Sequence, residues 1–337
     1  MADDSPKIDS FERESFLPPP PESGRFKRVL ADRYHLTREI ARGGMGILWL
    51  TWDARLERYV AVKFMSLARP PSEEDNIRFE REAKAEAQLG GETEHVVKVL
   101  DYGIDNGTRY IIMEYLTGED LSTRLERTRR LSAEALAPMV HQLARALKTA
   151  HRRNLIHRDI KPANIFLCQR DDEERIKILD FGIVKALGTA QDTITGRLLG
   201  TPPYMAPEQI QGHSIDLRTD LWSLGVVLYE ALTGQRPFPF DGWGMMKLAT
   251  AICDAPIPLP STVAPDLPES VDAFFARALA RPPGERFQSA EELAKAFAGL
   301  ARMPMGPLST IPPVGPDLSS MDTLQQSDDE TKPATGV

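Results

Sequence analysis

The texture of the chain changes near residue 117, and that change restricts the fold more than any other feature. Before it lie short β-like runs: Tyr34-His35-Leu36, Ile47 to Trp52, Tyr59 to Met65, Val96 to Tyr102 and Tyr110 to Tyr115. One helical segment interrupts them. Ser72 is placed to cap it, Glu73, Glu74 and Asp75 suit the positive end of its dipole, and it runs to about Leu89. After residue 117 apolar side chains return at helical spacing, as in Leu136, Met139, Val140, Leu143 and Leu147. Pro138 falls inside that pattern and predicts a local bend or a late start. Asp220 reads as the N-cap of an almost wholly apolar helix, Leu221 to Thr233, stopped by Gly234. A helix apolar nearly all round belongs in the middle of the larger half. The predicted class is α+β and bilobal: a β-rich lobe with one helix over 34–116, then a mainly helical lobe over 117–300. A cleft between two lobes is a natural ligand site.

Outside these limits the sequence reads differently. Residues 1–30 contain Pro18-Pro19-Pro20-Pro21 and scattered charge, and read as a disordered leader. Residues 303–337 are rich in Pro, Ser, Asp and Thr, too poor in apolar surface to offset chain entropy, and read as a disordered tail. The net charge of −8 counts against a general nucleic-acid binder, which should be basic. Two cysteines, Cys168 and Cys253, exclude a disulfide framework and a four-cysteine metal site, and read as buried small hydrophobes. No basic, then apolar, N-terminal signal is present, and Leu221 to Leu232 is shorter than the ~20 residues of a membrane span. The expectation is a cytoplasmic protein without a membrane anchor.

Several residues carry chemistry. Ile40-Ala41-Arg42-Gly43-Gly44-Met45-Gly46 lets the backbone approach closely or adopt positive φ. It is followed by the β-like Ile47-Leu48-Trp49, so it does not open a helix as a dinucleotide fingerprint should, and it lacks the Gly-Lys-Ser/Thr of a P-loop. A plain hairpin turn and a hairpin lying over phosphates remain. Lys63 ends the apolar run Val60-Ala61-Val62; it either snorkels to solvent or points into the cleft as a fixed cation. Glu82, on the small lobe's helix, is a surface glutamate or that cation's partner. The decisive strings are His157-Arg158-Asp159-Ile160-Lys161-Pro162-Ala163-Asn164 and Lys177-Ile178-Leu179-Asp180-Phe181-Gly182. Asp159, Asn164 and Asp180 supply the oxygen ligands that Mg²⁺ selects, and Lys161 adds a cation.

With these motifs the chain resembles the eukaryotic-like (Hanks-type) serine/threonine protein kinases, and its Gly-Gly-Met-Gly loop resembles that of their bacterial members. The resemblance covers roughly Tyr34 to Leu300. It implies the bilobal protein-kinase fold, ATP as phosphoryl donor, Mg²⁺ (or Mn²⁺) as cofactor, and protein substrates bearing Ser or Thr hydroxyls. The loop Ile40, Ala41, Arg42, Gly43, Gly44, Met45, Gly46, Ile47 and Leu48 would cover the nucleotide. Lys63 would contact the α/β-phosphates and pair with Glu82, Asp159 would accept the substrate's proton, and Asn164 and Asp180 would hold the metal. Met113 would be the gatekeeper of the adenine pocket, with Glu114 to Leu116 offering hinge hydrogen bonds. Gly200 to Glu208 resembles the substrate-positioning loop, Arg286 the buried partner of Glu208, and Asp220 the brace of the catalytic loop. Arg158 would receive a phosphate from the loop containing Thr189, Thr193 and Thr195; the resemblance implies autophosphorylation of Thr193 and Thr195, with a transient homodimer as the form in which one copy modifies another.

Departures from the pattern stand beside it. Ala41 replaces the first loop glycine, Leu48 the usual valine over adenine, and Glu86 an apolar position of the spine that joins the lobes. The connection from Gly90 to His95 is longer than usual, just beyond the segment in which Glu82 is placed as the partner of Lys63. A binding module that has lost catalysis is the main alternative, but Lys63, Asp159, Asn164 and Asp180 are all present. A small-molecule kinase is the other, opposed by Lys161 and the Thr201 to Glu208 loop.

Overall fold

The computed structural model describes residues 28–43, 46–65, 72–170, 173–181, 202–239 and 244–302. Leu30 sets where the fold begins. It is fully buried with Tyr34, Val62 and Tyr110, so strand β1 (Arg28–Leu30) forms inside the stretch whose composition reads as leader. Strands β2 (Tyr34–Gly43), β3 (Gly46–Asp53), β4 (Arg58–Met65), β5 (Val99–Asp105) and β6 (Thr108–Glu114) complete an antiparallel sheet in the order β1-β2-β3-β4-β6-β5.

Period-2 alternation gives that sheet two faces. Val60, Val62 and Phe64 of β4 join Leu30, Leu36, Tyr110 and Ile112 on one face. Ala61 and Lys63 lie on the other, and in register beside them stand Leu48 of β3 and Ile111 and Met113 of β6. Helix α1 (Glu73–Glu92) covers part of this second face with Phe79 and Ala83, which pack on Met65, Val99 and Ile111. Its cap is reciprocal. Ser72 Oγ accepts from the Asp75 amide at 3.2 Å, and Asp75 Oδ2 accepts from the Ser72 amide at 2.9 Å.

At its far end α1 is tied to the large lobe. Arg153 Nε donates to Glu92 Oε2 at 2.8 Å and its Nη1 to Gln88 Oε1 at 3.2 Å. Just beyond the helix, Ile178 N donates to His95 O at 2.9 Å and Val97 N to Ile178 O at 3.0 Å. The segment read as a strand from Val96 thus begins as a single bridge to the other lobe, and pairing within the sheet starts only at Val99.

The large lobe carries β7 (Gly118–Asp120), β8 (Ile165–Arg170) and β9 (Glu173–Ile178) as a second sheet, together with α2 (Leu121–Thr128), α3 (Ala133–His151), α4 (Leu217–Thr233), α5 (Met245–Asp254), α6 (Ser270–Ala278) and α7 (Ala290–Leu300). Pro138 does not delay α3, which starts at Ala133 under a Ser132 cap and continues through the proline. The apolar helix α4 is buried along nearly its whole length and closes on Gly234 in the left-handed region, φ 74°. Its N-cap is Asp216, not Asp220: Asp216 Oδ1 accepts from the Arg218 amide at 2.8 Å. Asp220 is fully buried in the first turn and is committed elsewhere.

Among the described residues no helix is long and apolar enough to cross a membrane.

Candidate active site

Asp220 is where the site is anchored. Its two oxygens reach back 62 and 63 residues: Oδ1 accepts from the Arg158 amide at 2.8 Å, and Oδ2 from the His157 amide at 2.9 Å and from the His151 ring at 2.8 Å. Burial disfavours its charge, but the bonds from His151 and His157 outweigh that and hold its carboxyl below the usual range. The loop it fixes is strained at Arg158, whose φ is 65°. His157 completes the frame. Its Nδ1 accepts from the Asp159 amide at 3.2 Å, so Nε2 carries the proton and donates to Leu179 O at 2.8 Å. Full burial lowers its basicity, which keeps it in that neutral form.

On this frame sit the acids the sequence singled out. Asn164 ends a single helical turn, Pro162–Asn164, and its amide nitrogen donates to Asp159 O at 2.8 Å and to Asp159 Oδ2 at 3.1 Å. The amide oxygen of Asn164 therefore faces away from Asp159 and receives no hydrogen bond among the described residues. Lys161 Nζ stands 3.1 Å from the same Asp159 oxygen. Asp180 follows β9 with φ 56°, a second strained position, and Phe181 packs edge-on against His157 with ring centres 4.6 Å apart. From the opposite lobe, Lys63 Nζ reaches Asp180 Oδ2 at 2.7 Å. The strand cation thus points into the cleft and does not snorkel away.

That ion pair departs from the expected Lys63–Glu82 pair. Glu82 Oε2 is buried with no hydrogen-bond partner among the described residues. Burial pushes its carboxyl up to about 7, against the pull of Arg158, the cation that acts on it most. One turn further along α1, Glu86 lies deeper, and its Oε1 accepts from the Phe181 amide at 3.2 Å. Burial, with the nearby Asp180 charge, pushes the Glu86 carboxyl up to about 8, and the Phe181 bond and Lys63 only partly oppose this. The physical reason for the departure is position along α1: the two acids share one face, but Glu86, one turn nearer the large lobe, lies beside Lys63, Asp180 and the Phe181 amide, and Glu82 feels Arg158. Sequence reasoning marked Glu86 as out of place but found no role for it. A bond to a backbone amide 95 residues away leaves no sequence signal.

The side of the cleft where the sequence expects nucleotide is built from β2, β3 and β6. Ile40, Ala41, Arg42 and Gly43 end β2, and Gly46, Ile47 and Leu48 start β3; Gly44 and Met45 lie outside the described residues. Gly46 has φ 141°, and a Cβ there would fall 1.9 Å from Phe64 O, so only glycine fits. Arg42 is paired with Glu39 at 2.7 Å on the surface. Met113 stands on Lys63's face of the sheet and packs on the α1 cluster. Glu114 spends its amide on Lys98 O at 3.0 Å and its carboxylate on Lys177 at 2.7 Å. Tyr115 and Leu116 lie beyond β6, and no hydrogen bond among the described residues engages the Leu116 backbone.

The donor set fits a hard cation: one carboxylate, Asp180, and one amide oxygen, Asn164, turned away from its neighbour. No group of three or more His, Cys, Asp or Glu residues forms a metal cage among the described residues. A cation here would keep water or substrate oxygens in its shell, which is how Mg²⁺ is commonly held.

Below the site, Glu208 and Arg286 form a two-point ion pair at 2.8 Å and 2.8 Å, with Arg286 fully buried. Gln209 Nε2 donates to Arg158 O at 3.1 Å and so joins this region to the strained loop. Residues 182–201, with Thr189, Thr193, Thr195 and Thr201, lie outside the described residues.

Comparison with known proteins bears on the family and the fold. A family model for the protein kinase domain matches residues 34–298. Serine/threonine-protein kinase PknA of Mycobacterium tuberculosis (strain H37Rv) is 41% identical over 298 residues, spanning 86% of this chain and 67% of that protein. A probable serine/threonine-protein kinase of Streptomyces coelicolor is 39% identical over 274 residues, spanning 79% of this chain but 39% of that protein. The crystal structure of the M. tuberculosis PknI kinase domain superposes with a TM-score of 0.64 at 28% identity, covering 81% of this chain and 98% of that one.

Proposed function

The chain belongs to the protein kinase family as a serine/threonine kinase of bacterial type, and we propose that it moves the γ-phosphoryl group of ATP onto Ser or Thr hydroxyls of proteins with the help of Mg²⁺. The observation that carries this reading is the meeting of Lys63, from the small lobe, with Asp180, beside the Asp159–Asn164–Lys161 group of the large lobe.

Phosphoryl transfer has a loose transition state whose charge spreads over the phosphoryl oxygens, so the protein's work is positioning and charge neutralisation. Asp159 accepts the proton of the substrate hydroxyl as that oxygen bonds to the γ-phosphorus. The bond from phosphorus to the β–γ bridging oxygen breaks, and ADP leaves with the electron pair. Lys161, already 3.1 Å from the base, offsets charge on the transferring group. Lys63 moves from Asp180 to the α/β-phosphates. Asn164 and Asp180 are the residues that would hold Mg²⁺ (or Mn²⁺), which when bound would supply positive charge against that of the phosphates. The facing ends of β2 and β3, Ile40 to Gly43 and Gly46 to Leu48, lie against the nucleotide, and Leu116 offers a backbone donor to adenine. Autophosphorylation at Thr193 and Thr195 would bring a charge of about −2 per phosphate for Arg158 to meet.

Transfer from radiolabelled ATP to a generic basic Ser/Thr substrate tests the reading. Asp159→Asn is expected to lower kcat by ~10²–10⁴-fold, the usual weight of a positioned base. Equal labelling by the two proteins under Mg²⁺ and Mn²⁺ would overturn it.

A further inference from the structure

Helix α1 offers the cleft two acids one turn apart, and the structure uses them differently. Glu86 is 4% exposed, sits in the field of Lys63 and Asp180, and accepts the amide proton of Phe181. Glu82 leaves one oxygen buried and unpartnered and has Arg158 as its strongest cationic influence. We propose that Glu86 is the positioning acid of this kinase: through the Phe181 amide it fixes the backbone next to Asp180, and with it the carboxylate that takes the metal. This rests on the reading of the site as a phosphotransferase centre.

The argument is one of hydrogen-bond accounting. Phe181 is nearly buried, with its ring held against His157. Its amide donates to Glu86 of α1 at 3.2 Å, and an unpaired buried amide is costly enough to move the chain. Asp180, one residue earlier, is in the left-handed region, where a carboxylate's direction is sensitive to small backbone shifts. An apolar side chain at 86 would pack in the same space but leave the amide without an acceptor. A carboxyl keeps an acceptor oxygen in either protonation state, and so does the amide of glutamine.

The proposal separates Glu86→Gln from Glu86→Leu. In the full-length protein, Glu86→Gln is expected to keep kcat within roughly threefold of wild type. Glu86→Leu is expected to lower kcat roughly tenfold or more with little change in KM for ATP, because the lost group orients the metal site without touching nucleotide. Glu82→Leu is expected to cost less than Glu86→Leu. Amide hydrogen exchange of the 177–181 segment gives a readout independent of turnover: faster in Glu86→Leu and unchanged in Glu86→Gln, with thermal melting confirming that each variant is folded. Unchanged exchange in folded Glu86→Leu, or a larger loss of kcat in Glu82→Leu, would overturn the proposal. If wild type transfers no phosphate, the functional reading fails while the exchange experiment still decides the role of Glu86.

Discussion

Replacing Arg286 by Met should unfold the large lobe more than any surface change could. The guanidinium makes two bonds to Glu208, at 2.8 Å and 2.8 Å, and also donates to the carbonyls of Ala280 at 2.7 Å, Arg281 at 2.8 Å and Arg218 at 3.1 Å. Its plane lies 4.9 Å from the ring of the fully buried Trp222. Removing it strands a buried carboxylate and three carbonyls. Breaking a buried pair from one side costs ~3–5 kcal/mol. At ~2 °C per kcal/mol, the low end expected for a domain this long, the melting temperature should fall by roughly 6–10 °C. Denaturant and thermal unfolding would measure it. The pH dependence gives a second check. Burial raises the Glu208 carboxyl, but the bonds and charge of Arg286 outweigh it and hold the group below its ordinary value. A depressed carboxyl contributes stability above its unfolded pKa that is lost as pH falls through the folded one. The gap between wild type and Arg286→Met should therefore narrow as pH drops below ~4.5. Removing both partners, as Glu208→Leu with Arg286→Met, should cost less than the two single changes added together, because no charge is left alone. A single-variant loss under ~1 kcal/mol, or strict additivity, would refute the reasoning.

Two further outcomes follow from the same geometry. Gly46→Ala sets a methyl against Phe64 O at a φ that L-residues avoid, so it should weaken ATP binding and lower the melting temperature, as fluorescent-nucleotide titration and calorimetry would show. Burial pushes the Cys168 thiol up to about 11, so at pH 8 it should alkylate far more slowly than a free cysteine, read by mass spectrometry of iodoacetamide-treated protein.

Local features of this fold were legible in the sequence, and long-range ones were legible only as residue types. Ser72, the acidic first turn of α1 and Gly234 act through neighbours a few residues away, and each cap forms as its chemistry requires. Asp220 shows the limit. A buried aspartate near a helix start reads as a cap, yet Asp216 already fills that place, and Asp220 spends its oxygens on backbone more than 60 residues distant. Arg28 to Leu30 was hidden by its proline-rich surroundings, because what makes it a strand is the pocket between Tyr34 and Tyr110 that receives Leu30. Lys63, Asp159, Asn164 and Asp180 stood out by type and spacing, and they do converge. Which acid of α1 reaches them depends on where along its axis the helix is seated through Phe79 and Ala83, a packing outcome that spacing alone leaves undetermined.

The ties that join the end of α1 to the large lobe make that helix a lever with a fixed fulcrum. Glu92, His95 and Val97 are held by Arg153 and Ile178, whereas nearer the Ser72 end Phe79 packs on the small sheet. At 1.5 Å per residue, Glu86 lies about 9 Å from the fulcrum and Glu82 about 15 Å. Any swing of the helix therefore carries Glu82 well over half as far again as Glu86. Glu86, on the shorter arm, would move about three-fifths as far as Glu82, so a swing of the rod would disturb the surroundings of Glu82 near Arg158 more than the bond from the Phe181 amide.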